Sequence, residues 1–118
     1  MKLRSSDDCG FSTAMSVIGG KWKTSLLWEI QLHPRRFGEL RRLVAGISDK
    51  ILNEQLRELE ADGVVERRSY NEAPPRVEYV VTDFGRTLNE AVSAMSAWGK
   101  KFEQRRDSTQ RERQMIRV

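Results

Sequence analysis

Apolar positions along this chain follow a helical period up to residue 62, an alternating period to residue 81, and a helical period again. Phe11 to Ile18 predicts a short helix closed by Gly19-Gly20, where backbone freedom at positive φ suits a tight exit. Trp22, Leu26, Leu27 and Ile30 then recur at the spacing of an amphipathic helix over 22–32, which His33-Pro34 ends. A third helix is expected over 36–44, burying Phe37, Leu40 and Leu43. Ala45-Gly46-Ile47 reads as a short turn, and Ser48 is a good N-cap for a helix running to about Asp62, with Gly63 as its stop. Asp49 sits favourably at the positive end of that helix.

Two strand-like runs follow, 64–70 and 76–81, joined through Asn71-Glu72-Ala73-Pro74-Pro75 as a hairpin tip. Thr82 caps a long last helix whose stripe is Phe84, Leu88, Val92, Met95, Trp98 and Phe102. This order predicts a mainly α fold with a small β-hairpin wing, a winged helix-turn-helix. Residues 1–105 are expected to form one domain, and the polar, basic stretch 106–118 to fray or stay disordered.

The helix from Ser48 carries the candidate chemistry. At 100° per residue, Leu52, Leu56 and Leu59 share one side, while Lys50, Glu54 and Arg57 share the other with Asn53 at its edge. In helix-turn-helix proteins the N-terminal part of the second helix reaches base edges in the major groove. Lys50 and Arg57 can donate to guanine or phosphate, Asn53 can pair with adenine, and Glu54 can accept from cytosine. Glu54 also repels phosphate, so it should read a base or pair with Arg57 or Lys50. The competing interpretation is a solvated face with ordinary i,i+3 and i,i+4 ion pairs.

The hairpin offers a second contact. Arg67, Arg68 and Arg76 lie on or beside it, and a basic loop stiffened by Pro74-Pro75 can enter a minor groove. Alternatively, Arg67 and Arg76 are cross-strand partners of Glu78 and Glu66. Arg35, Arg36, Arg41 and Arg42 around the third helix are candidates for phosphate contacts, which fix register without reading sequence.

Net charge adds little. Of the 118 residues, 21 are Lys or Arg and 17 Asp or Glu, giving +4. Residues 1–99 balance, 14 against 14, and the whole excess lies in residues 100–118, seven against three. The argument for nucleic acid therefore depends on placement of the basic groups. No segment is apolar enough to cross a membrane and no secretory signal stands at the start, so a cytoplasmic protein is expected. One cysteine, Cys9, excludes an intrachain disulfide and suits a reducing compartment. One histidine, His33, leaves no His/Cys zinc site, and Gly19-Gly20-Lys21-Trp22 lacks the Ser/Thr and glycine spacing of a phosphate loop. An enzyme is not expected, nor a cofactor or metal. A protein–protein adaptor is the alternative; it should show apolar residues where Lys50, Asn53 and Arg57 stand.

The blocks Ile18-Gly19-Gly20-Lys21-Trp22, Pro34 to Arg41, Gly46 to Leu52, Leu56 to Arg67, Pro74 to Tyr79 and Thr82 to Leu88 together resemble the HxlR-type branch of the MarR-like regulators, over roughly residues 9–100. The resemblance implies a homodimeric bacterial transcription regulator on double-stranded DNA, expected to act as a repressor binding a roughly palindromic operator. By analogy the N- and C-terminal helices form the dimer. The stripe through Met95, Trp98 and Phe102, larger than a small core needs, agrees with that. Some members sense electrophiles or oxidants through a cysteine where Cys9 stands, although here Gly10 replaces the usual following proline and Asp7 and Asp8 disfavour a thiolate. The three tryptophans leave room for a small-molecule effector near Trp22, Trp28 and Trp98.

Overall fold

The computed structural model describes residues 10–116. Its elements are α1 (Gly10–Ile18), α2 (Lys23–Leu32), α3 (Phe37–Leu43), α4 (Asp49–Ala61), β1 (Val65–Tyr70), β2 (Arg76–Val81) and α5 (Asp83–Ile116). The predicted elements are all present, with ends shifted by at most one residue except at the end of α5. Polar composition predicts fraying beyond 105, but α5 continues as helix to Ile116. No glycine or proline follows Gly99, and the Lys, Arg, Glu and Gln residues that dominate there are good helix formers.

The core is built on α2. Leu26, Leu27 and Ile30 are fully buried, and they meet Leu40 of α3, Leu52, Leu56 and Leu59 of α4, and Val64-Val65 at the foot of the hairpin. Leu43 departs from expectation and is half exposed. Helix α3 ends there, and the extended conformation of Val44 turns that side chain inward instead. Gly46, at φ +86°, makes the bend that returns the chain into α4.

β1 and β2 pair antiparallel, Val65 opposite Val81 and Tyr70 opposite Arg76. A third, single-residue rung docks the hairpin on the body. The Arg35 N–H donates to the Tyr79 carbonyl at 3.0 Å, and the Tyr79 N–H to the Arg35 carbonyl at 2.7 Å. Thr82 then joins three elements. Its Oγ1 accepts from the Gly85 N–H at 2.9 Å, capping α5, and donates to the Gly63 carbonyl at 2.6 Å.

That junction leaves no room at Gly85. A Cβ there would collide with the Val64 carbonyl and lie 2.9 Å from Val81 Cγ2. Gly85→Ala should therefore lower stability by about 1–3 kcal/mol, the range for overpacking a tight core. Urea denaturation followed by circular dichroism checks this, and an unchanged midpoint would contradict the packing described.

Candidate nucleic-acid interface

Ser48 begins α4 in extended conformation, and its Oγ accepts the Ile51 N–H at 3.2 Å. From that fixed start, Leu52, Leu56 and Leu59 point into the core. Lys50, Glu54 and Arg57 are exposed on the other side, with Asn53 half-buried between the two. None of these four forms an ion pair among the described residues, so the helix face is not a self-neutralised network. Glu54 in particular has neither Lys50 nor Arg57 as a partner.

A second anchor was missed in the sequence. Lys23 of α2 is 7% exposed, and its ammonium lies 2.7 Å from the Glu58 carboxylate of α4. A buried ammonium without such a partner would be strongly destabilising. The signal was available: Lys23 stands in register with Leu26, Leu27 and Ile30, so a charge lay on the core-facing stripe.

The arginines around α3 divide. Arg36 is exposed, and its backbone N–H donates to Glu39 Oε1 at 2.9 Å, leaving the guanidinium unpaired. Arg42 is also exposed and without an ion pair. Arg41 lies 3.2 Å from Asp49, across the turn at the head of α4, with both groups open to solvent. Arg35 must be removed from the candidates. Its buried side chain pairs with the Glu29 carboxylate at 3.1 Å and donates through Nε to the Glu29 carbonyl at 2.9 Å. Its backbone rung with Tyr79 draws it inward.

On the hairpin, Arg67 is exposed, free of ion pairs, and faces Tyr79 across the sheet. Arg68 stands opposite Glu78 and contacts Glu66 on its own strand at 3.5 Å. The hydrogen bonds to Glu66 and Tyr70 hold its guanidinium above its usual basicity. The suggested pairs Arg67–Glu78 and Arg76–Glu66 do not occur, because the register is offset by one residue from the first and by four from the second.

Arg76 is the larger difference. Instead of a probe extended from the wing, it is a clip within it. The guanidinium pairs with Glu78 and, at 3.0 Å, with Glu72, and its carbon lies 4.0 Å from the centre of the Tyr70 ring. Burial pulls its basicity down, and the two carboxylates more than restore it, leaving it raised. Arg76→Ala should release Glu72, Glu78 and Tyr70 together. We expect the amides of residues 66–80 to lose protection, since hydrogen bonds to charged groups are among the stronger polar contacts. Amide hydrogen exchange reads this directly, and unchanged protection would remove Arg76 from that role.

Along α5, Met95, Trp98 and Phe102 are exposed, Trp98 at 65%, and the rings of Trp98 and Phe102 stack with centroids 5.7 Å apart. Cys9 lies outside the described residues. Among the described residues, no three His, Cys, Asp or Glu side chains could hold a metal ion, and no helix is long and apolar enough to cross a membrane.

The sequence matches the family model described as HxlR-like helix-turn-helix over residues 17–107. It is 46% identical to YdeP of Bacillus subtilis, named as an uncharacterized HTH-type transcriptional regulator, over 87% of this chain and 83% of that one. The fold is similar to a transcriptional regulator of the MarR family from Enterococcus faecalis, at TM-score 0.79 and 42% identity, over 90% of this chain and 94% of that one. It is also similar to a structure described as the redox regulator HypR in its reduced form, at TM-score 0.75 and 45% identity, over 79% and 92%. With its helix-turn-helix, its hairpin wing and a match across most of its length, the chain belongs to the HxlR-like helix-turn-helix family of DNA-binding transcriptional regulators.

Proposed function

We propose that two copies of this chain bind a roughly palindromic operator, placing α4 of each in successive major grooves about one helical turn apart. The observation that carries this is the outer face of α4, where Lys50, Asn53, Glu54 and Arg57 stand without ion pairs on a helix locked from behind. An adaptor surface would present apolar groups there. Ser48 at the helix head approaches phosphate, with Arg41 paired to Asp49 beside it, and the exposed Arg36 at the start of α3 supplies a further phosphate contact. Arg67 and Arg68 enter the flanking minor groove, held out by the Arg76 clip. Occupancy of a promoter by the dimer represses transcription in the cytoplasm, and no catalytic step is assigned to the chain.

Genome-wide recovery of bound DNA supplies the operator, on which each contact can be weighed. Asn53→Ala and Arg57→Ala should each cost about 1–3 kcal/mol and relax specificity at one base pair. Arg67→Ala should weaken all sequences alike and reduce the salt slope by about one phosphate contact. Wild-type affinity in both α4 variants would overturn the assignment of that face.

The dimer is proposed to form through α1 and α5, with Met95, Trp98 and Phe102 covered. Sedimentation should find a dimer that Trp98→Asp dissociates, losing ~2 kcal/mol or more, as for buried aromatic anchors. HypR is described as a redox regulator. By that likeness, oxidation of Cys9, the sole cysteine, is proposed to alter operator affinity. Diamide treatment of the dimer that leaves both Cys9 mass and affinity unchanged removes the sensor role.

A further inference from the structure

Beyond Trp98 and Phe102, α5 changes character. Residues 103–114 contain no apolar side chain, and every residue from Lys100 to Met115 is exposed. Six cations stand on this stretch: Lys100, Lys101, Arg105, Arg106, Arg111 and Arg113. None of them forms an ion pair among the described residues, although Glu103, Asp107 and Glu112 lie on the same stretch. Basic groups complement the helix macrodipole only in the last turn, where Arg113 stands. Lys100, Lys101 and Arg105 lie well short of it.

The cations are not spread evenly around the helix. At 100° per residue, Lys100, Lys101, Gln104, Arg105, Ser108 and Arg111 span one face of about 140°, with Glu112 the one acid among them. Met95, Trp98 and Phe102 occupy the neighbouring flank, the one two copies are proposed to share. Arg106 belongs to that flank, its guanidinium carbon 6.0 Å from the centre of the Phe102 ring. Covering the apolar stripe therefore leaves the basic face open.

Its position follows from the two ends of α4. The start of α5 is tied to the tail of α4, through Thr82 on the Gly63 carbonyl and Gly85 against Val64. From Gly85 to Lys100 the helix rises about 22 Å. Lys100 there lines the same open groove as Trp22 and as Val44 and Ala45, which belong to the turn at the head of α4. α5 thus runs from the tail of α4 toward its head, and its last residues continue about 24 Å past that level.

We propose that this basic face, from Lys100 to Arg111, is a second DNA contact, binding backbone phosphates of the duplex that flanks the operator. When α4 holds a duplex, those phosphates are the nearest dense array of anions. The contact adds salt-dependent affinity and fixes position without reading sequence. A stretch without apolar residues has nothing to insert into a lipid surface and no seam on which another helix could pack. The proposal rests on the reading of α4 for its position alone.

The full-length dimer carrying Lys101→Gln, Arg105→Gln and Arg111→Gln together keeps good helix formers and removes three charges per protomer. Fluorescence anisotropy over a range of salt compares two duplexes, one ending at the operator edges and one with unrelated sequence added on both sides. Wild type should bind the longer duplex about tenfold more tightly at low salt, and the variant should bind both alike. On the longer duplex the variant's salt slope should be shallower by about 2, one phosphate per protomer at about 0.9 each. Wild type that ignores the added flanks, or a variant that loses affinity equally on both duplexes, overturns the contact. So does a variant that sediments as a monomer, because the cations would then hold the second copy. Asn53→Ala on the same duplexes keeps the reading of α4 separate, since it should weaken both equally. If it changes neither while the flank effect persists, the α4 assignment falls and the α5 contact stands.

Discussion

Burial of Leu52, Leu56 and Leu59 fixes the rotation of α4, and nearly everything proposed for this protein depends on that rotation. Each fully buried leucine contributes about 1.5–3 kcal/mol. Turning the helix by one residue would expose part of the stripe and carry Asn53 and Arg57, or Gln55 and Glu58, toward the core. The Lys23–Glu58 pair holds the same helix from a second direction, and Ser48 defines where it begins. The outer face therefore has one orientation, set entirely by contacts on the inner one. Its polar groups are left without partners of their own, which is what a surface that reads another molecule requires.

The wing follows a different rule. Only its foot is buried, at Val65, Tyr79 and Val80, and a two-stranded hairpin beyond that point has little intrinsic stability. Polar contacts supply what packing does not. Arg76 gathers Glu72, Glu78 and Tyr70 into one cluster near the tip, while the rung between Arg35 and Tyr79 ties the base to the α2–α3 connection. Two of the arginines read from sequence as contacts for nucleic acid are thus spent inside the fold. Those that remain outward, Arg67 above all, are few, and their effect depends on the stiffness the others provide.

Helices and strands were legible because hydrophobic period and end signals are local. Ser48, Thr82 and His33-Pro34 mark boundaries that the structure reproduces to within a residue. The two faces of α4 were legible for the same reason. Which arginine points outward was not, since Arg35, Arg67 and Arg76 differ in register and tertiary neighbours and hardly at all in sequence context. A one-residue offset across the hairpin was enough to exchange the partners of Arg67 and Arg68. The continuation of α5 was missed through composition: a polar stretch reads as loose, yet its residues favour helix and nothing in it breaks one.

Helix α5 carries the remaining step. At 34 residues it is roughly 50 Å long by the usual rise per residue, and only its first third, through Leu88 and Val92, packs on the protomer's own core. From Met95 onward the apolar stripe continues outside that packed core and is exposed. A stripe of this kind is stable in water only when covered, and under twofold symmetry the same residues can cover each other. In the proposed dimer the stacked pair Trp98–Phe102 then lies at the junction of two copies, while Met95 on the same stripe also lines the groove beside Trp22. The spacing between the two α4 helices of that proposed dimer would accordingly be set by one surface, the same stripe of α5 that leaves the protomer's own core.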